Sequence, residues 1–225
     1  MDMSGIKNIL IDGTFLAGRT GTLVVMNAQN HNVIAGQYGI AENSEAQVIR
    51  FLESLKLSGL KPISCTTDGS PQVIKVVRAL WPGIITQRCI VHVQRQGLMW
   101  CRRYPKRNDA KQLRNLFLCV TSVSRRKEQE VFLANLSSWE DRYGANIQSS
   151  SDNDKVFSDV KRARSMLLKA LPNMFHYLDN SEISKSTNGI EGYFSRLKQH
   201  YRQHRGLSQK RRLAYLSWYS LLCSR

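Results

Sequence analysis

Three acids stand where this chain could do chemistry. Asp12 follows an apolar run in NILIDGT, Asp68 follows another in CTTDGS, and Glu191 lies in STNGIEGYF. An ionised carboxylate in apolar surroundings is costly unless it is paired or held by a cation. Two carboxylates at neighbouring strand tips repel, and an opposite charge between them removes that penalty. A hard divalent ion such as Mg²⁺ accepts oxygen ligands and needs only one or two protein carboxylates. Plainer explanations exist for each acid. Asp-Gly is ordinary turn chemistry. Glu191, three residues after Asn188, has capping-box spacing and could satisfy a helix-terminal amide. Spacing alone does not separate the two.

Further residues bear on the chemistry. Cys89 and His92 form a C-x-x-H pair in RCIVHV, read as the end of an apolar strand, and His200 and His204 stand four apart in HYRQH. Zinc-ligand pairs normally lie about a dozen residues apart, whereas these are separated by most of the chain, so no zinc is expected. His92 reads either as a substrate-facing residue or as a core histidine. No Ser or Cys sits in a recognisable nucleophile–base motif. The five cysteines are odd in number and irregular in spacing, which argues against a disulfide framework and for a reducing compartment.

The charge balance points to a polyanionic partner. Lys and Arg total 33 against 17 Asp and Glu, a formal net charge of +16 over 225 residues. Nucleic acid is the first expectation for such an excess. Arg196, Lys198, Arg202 and Arg205 follow Glu191, and Lys210, Arg211 and Arg212 open the next segment. Helical spacing puts Glu191, Ser195, Lys198 and Arg202 on one face. Such a face either grips phosphates or is simply solvated. No apolar run approaches the roughly 20 residues that span a bilayer, and the N-terminus lacks a signal-peptide layout, so no membrane partner is expected.

Elements must position these side chains. NILIDGTF, GTLVVMNAQ and NVIAGQYGI read as three strands joined by Gly- and Asn-rich turns, an antiparallel meander. SEAQVIRFLESLKLSG then places Ala46, Ile49, Leu52 and Leu55 along a helix, with Ser44 as N-cap and Gly59 as stop. KPISCTTDG is a strand, SPQVIKVVRALWPG a helix with Pro71 in its first turn, and IITQRCIVHV another strand. Alternation of this kind calls for parallel strands covered by helices. From about 94 to 182 only helical spacing is convincing, broken by the polar NIQSSSDND at 146–154. A helix starts in STNGIEG, and the last segment is amphipathic, with Leu213, Leu216, Tyr219 or Ser220, and Cys223 near one face.

In order and spacing, ILIDGT, CTTDGS, RCIVHVQR and STNGIEGYFSRLK resemble the motifs of DDE transposases of the Mutator-like and related bacterial insertion-sequence group. Nearly the whole chain is covered. The resemblance implies an α/β, ribonuclease-H-like mixed sheet, three antiparallel strands then two parallel ones, with an all-α insertion before the C-terminal catalytic helix. Its core would be 1–93 and 183–225, with the insertion at 94–182. Asp12, Asp68 and Glu191 would be catalytic and would bind two Mg²⁺ or Mn²⁺ ions, with Asp12 shared. Cys89, His92 and Asn188 would be active-site neighbours. The implied chemistry is metal-dependent DNA strand cleavage, then attack of the freed 3′-hydroxyl on a target phosphodiester. The implied partners are element ends and target DNA, in a homodimer or higher oligomer, within a cytoplasmic, nucleoid-associated (nuclear if eukaryotic) setting. Members usually carry a DNA-binding domain ahead of the first Asp, and this sequence begins 11 residues before Asp12. That leaves two alternatives: a catalytically inactive or truncated nucleic-acid-binding module of the same fold, or a structure-specific nuclease that cuts without joining.

Overall fold

A computed structural model describes residues 3–16, 21–40, 44–149, 155–204 and 206–222. Five strands form one sheet in the order β3-β2-β1-β4-β5: β1 Asn8–Phe15, β2 Gly21–Asn27, β3 Val33–Tyr38, β4 Ser64–Thr67 and β5 Ile85–Arg88. β1 is central. It pairs antiparallel with β2 and parallel with β4, and β2 pairs antiparallel with β3. The AQNHN turn closes β2 on β3 through Asn side chains: Asn27 accepts from the amide of Gln29, and Asn30 from that of Asn32.

Both faces of the sheet are covered, which is why β1 reads as a continuous apolar run. Ile9 and Ile11 join one core, with Val48, Phe51 and Leu52 of helix α1 (Glu45–Leu57) and Val73, Val76 and Val77 of α2 (Pro71–Leu80). Leu10, on the opposite face, joins Val24, Met26 and, from α8 (Asn188–Arg202), Ile190, Phe194 and Leu197. The final helix, α9 (Gln209–Leu222), adds Leu216 to that second core.

Two helical faces differ from expectation. On α1 the buried set is Val48, Phe51, Leu52 and Leu55, while Ala46 is exposed and Ile49 half-buried. The stripe is rotated because Val48, Phe51, Leu52 and Leu55, at i, i+3, i+4 and i+7, form the continuous apolar face. On α9 Leu216 is fully buried, flanked by half-buried Tyr215 and Tyr219, whereas Leu213 is 37% exposed. Aromatic rings displace it from the centre of the face. Cys223 lies outside the described residues.

The chain divides into two compact units, Met1–Gln87 with Asn180–Arg225, and Arg88–Asp179. The second is all-helical among its described residues. It contains α3 (Ile90–Cys101), α4 (Asn108–Val120), α5 (Arg126–Trp139), a π turn at Glu140–Gly144, α6 (Ala145–Ser149) and α7 (Lys155–Ala170). It starts at Arg88, ahead of the expected 94, because β5 stops there and the chain is helical from Ile90. The expected polar break at 146–154 is helical as far as Ser149; the rest lies outside the described residues. Its core gathers Val93, Leu113, Phe117, Phe132, Trp139 and Leu167.

A half-buried ion pair sits in this helical unit. Asp109 is 5% exposed and pairs with Arg107 at 2.6 Å, while its carbonyl accepts the indole N–H of Trp139 at 2.9 Å. Burial pushes the Asp109 carboxyl up. The bonds from Arg107 and the Ala110 amide outweigh it and hold the group below its ordinary value. A depressed folded-state value adds stability above the unfolded value, and that stability is lost as pH falls through the folded one. Asp109→Asn is therefore expected to lose about 1–3 kcal/mol at neutral pH. The gap to wild type should narrow on acidification in urea unfolding followed at stepped pH.

Candidate active site

Alternation along β1 puts Leu10, Asp12 and Thr14 on the face that packs against α8. Asp12 does not end its strand, contrary to expectation. It is paired with Val24 of β2, and that ladder runs on to Phe15. It does lie just beyond the last residue paired with β4, since that register stops at Ile11 opposite Thr67. Asp68 is the residue after Thr67. Each acid is therefore the residue that follows the last paired position of the β1–β4 ladder, at the carboxyl side of parallel strands where ligand sites gather.

Asp12 is 4% exposed. Its Oδ1 accepts the Gly13 amide at 2.8 Å, and its Oδ2 accepts the Thr187 hydroxyl at 2.7 Å. Asp68 is half-buried, and its Oδ1 accepts the Ser70 amide at 3.0 Å and the Thr67 hydroxyl at 3.2 Å. That is the turn chemistry expected of Asp-Gly, with Gly69 at φ 99° supplying the left-handed residue. The turn role is thus present at Asp68.

Glu191 lies half-buried in the first turn of α8. The capping-box explanation does not hold. The helix begins at Asn188, so Asn188 is the first helical residue and Thr187 the cap position, and no side chain caps the helix. A threonine there usually accepts a helix amide, worth about 1 kcal/mol. Here its hydroxyl goes to Asp12 instead.

The donor set is all oxygen, which suits Mg²⁺ or Mn²⁺. Among the described residues, no three His, Cys, Asp or Glu side chains gather to hold one ion. Cys65, on β4, is fully buried. Burial pushes its thiol well above the ordinary range, and the charge of Asp68 adds to the rise.

Cys89 and His92 are not on a strand. Cys89 is the buried cap residue of α3, and His92 is half-buried in the first turn of that helix, within the helical unit. A short apolar run does not distinguish a strand from a buried helix start. His200 and His204 pack against the rings of Tyr219 and Tyr215, at 5.6 and 4.8 Å between centroids.

The cations differ among themselves. Lys198 is half-buried, and its ammonium donates to the Thr14 hydroxyl at 2.6 Å, on the Asp12 face of β1. Arg196, Arg202, Lys210 and Arg211 are exposed. Arg212 is half-buried with its guanidinium over the Tyr201 ring at 5.6 Å. Arg205 lies outside the described residues. Sequence reasoning missed Thr14 and Thr187. The first could have been found from its two-residue spacing from Asp12, and the second from its place before a helix start.

A mixed sheet has one acid on its central strand, a second after the neighbouring parallel strand, and a third on a helix reached after a helical unit. The order of strands and helices is that of a ribonuclease-H-like fold. The chain belongs to the Mutator family of transposases, whose family model matches residues 23–206. The matched span contains Asp68 and Glu191, and Asp12 lies just ahead of it. A search of curated proteins finds no match. Transposases act on DNA and generally need a divalent metal ion. Among the described residues, no helix is long and apolar enough to cross a membrane.

Proposed function

We propose that this chain carries the catalytic core of a DNA transposase that cuts and joins strands at a two-ion site formed by Asp12, Asp68 and Glu191. The parallel register that ends at Ile11 and Thr67, with an acid next on both strands, is the observation that carries the reading. Bound Mg²⁺ or Mn²⁺ would supply charge neutralisation at the attacking and leaving oxygens of an in-line displacement. Asp12 would contribute to both ions, and Asp68 and Glu191 to one each. The hydrogen bonds from Gly13 and Thr187 fix the plane of the Asp12 carboxylate. Asn188 would act beside Glu191 as a site neighbour. Residues 88–179 would serve as the helical insertion of the core, with Cys89 and His92 at its start. Assembly on element ends as a homodimer or higher oligomer, at the nucleoid, belongs to the same reading.

The test is strand cleavage and joining of DNA bearing the element's own termini, with and without Mg²⁺ or Mn²⁺. Metal-independent cleavage would defeat the proposal. Cleavage without joining would favour a nuclease. A non-catalytic binding module is the second reading. It is favoured by the carboxylates of Asp12 and Asp68 being hydrogen-bonded within the fold, and it predicts DNA binding with no cleavage under any metal.

DNA would be held by the exposed cations and by Lys198. Lys198→Ala is expected to weaken DNA binding and to reduce the slope of log affinity against log salt by about 1. Arg212→Ala should leave that slope nearly unchanged and lower the melting temperature, because its guanidinium stacks on Tyr201. Fluorescence anisotropy over a salt series, with thermal melts, reads both.

A further inference from the structure

Between the helical unit and α8 the chain crosses the sheet face as a polar strap, residues 180–187. Asn8 of β1 donates to the Glu182 carboxylate at 3.3 Å and also accepts from Ser64 of β4 at 2.6 Å. Thr66 of β4, two residues before Asp68, donates to the Ser184 carbonyl at 2.7 Å, and Ser184 in turn donates to the Ser186 carbonyl at 2.7 Å. Thr187 then donates to Asp12 at 2.7 Å. The strap is thus bonded step by step to the two strands that carry the first two acids.

Thr187 does two things at once. It is 0% exposed, and its hydroxyl makes a charge-assisted bond to a buried carboxylate, at the distance of the strong O–H···O⁻ class. Its backbone carbonyl accepts the amides of Ile190 at 2.9 Å and Glu191 at 3.1 Å. One residue therefore touches the first acid with its side chain and the turn bearing the third acid with its main chain. The same turn is blocked on another side. A Cβ on Gly189 would lie 3.0 Å from His31 and 3.2 Å from Met26, so the helix start sits hard against the β2–β3 turn.

We infer that Thr187 is a positioning residue of the metal site, setting the Asp12 carboxylate and the Glu191 turn in one frame. The inference rests on the proposed two-ion reading. Hydrogen-bond partners behind metal ligands typically change metal affinity 10- to 100-fold when removed. Thr187→Val keeps the shape and removes the hydroxyl, Thr187→Ser keeps the hydroxyl, and Asp12→Asn reports the ligand itself.

Mn²⁺ is titrated calorimetrically into the full chain without DNA, and end cleavage is compared in Mg²⁺ and Mn²⁺. Thr187→Val is expected to lose about 10- to 100-fold in Mn²⁺ affinity and to suffer more in Mg²⁺ than in Mn²⁺. Thr187→Ser should stay within about threefold of wild type, well inside that loss. Wild-type affinity in Thr187→Val, with Asp12→Asn abolishing binding, overturns the inference and leaves the metal site standing. Equal losses in the Val and Ser variants also overturn it, because packing rather than the hydroxyl would then be responsible. Should Thr187→Val melt below the assay temperature, Thr187→Ala replaces it against Thr187→Ser under the same criterion. Wild-type protein showing no Mn²⁺ binding that depends on Asp12 and Asp68 would sink the two-ion reading itself, and the inference with it.

Discussion

Alanine at Asp12, Asp68 or Glu191 is expected to reduce metal-dependent end cleavage at least about a thousandfold, or about 4 kcal/mol of barrier at 1.4 kcal/mol per decade. The fold should survive. Asp12→Asn makes the cleanest comparison. The amide carbonyl can still accept from the Gly13 amide, its NH2 can donate to the Thr187 hydroxyl oxygen in place of the bond that Oδ2 accepted, and a buried charge is removed. Burying an ionised carboxylate is costly, so the melting temperature should hold or rise while activity disappears. Glu191→Asp shortens the third acid by one methylene without changing charge, and its loss would report reach rather than electrostatics. Near-normal cleavage by Asp68→Ala would reduce Asp68 to the turn residue that its bonds to Ser70 and Thr67 already make it.

Gly97→Ala is expected to destabilise the helical unit by about 2 kcal/mol, although alanine is the better helix former. Exchanging a mid-helix glycine for alanine would ordinarily gain close to 1 kcal/mol. At Gly97, however, a Cβ would fall 2.3 Å from two ring carbons of Phe117, which is fully buried in the core shared with Val93, Leu113 and Trp139. α3 approaches α4 closely because this position has no side chain. Accommodating a methyl group means moving the ring within a packed interior, and overpacking of this kind costs about 1–3 kcal/mol or more. Strain outweighs propensity. Urea unfolding of the single variants and of Gly97→Ala with Phe117→Leu would show the coupling, because the smaller side chain should recover part of the loss.

Local chemistry was legible where it is strong. Pro71 opens α2, Gly59 at φ 95° follows α1, and the Asn-rich turn folds β2 on β3. The meander and the alternation of helix and strand were visible in the periodicity of apolar residues. What failed was the division of IITQRCIVHV. Its apolar content suits a buried strand and a buried helix start equally, and only tertiary packing ends β5 at Arg88. The three acids were legible as candidates by their place beside apolar runs and a helix start. Their local geometry was not. Whether Asp12 is at a tip depends on which neighbouring strand is considered, and register is not written in one strand alone. Thr187 escaped notice for a related reason. Threonine before a helix reads as an ordinary cap, and its actual partner lies 175 residues away.

That separation bears on synthesis. The first acid is made with the first strand and the third with the eighth helix, and the bond that joins their neighbourhoods spans 175 positions. A chain emerging from the ribosome can form the meander, and then the β1–β4 pair, from nearby segments. It then carries Asp12 and Asp68 through the whole production of the helical unit without a third acid. Long-range closure of this sort is slow and comes late in folding. The order of manufacture thus acts as a safety interval: a prematurely ended chain owns Asp12 and Asp68 but neither Glu191 nor the cations of α8 and α9 proposed to hold DNA, all of which are made last.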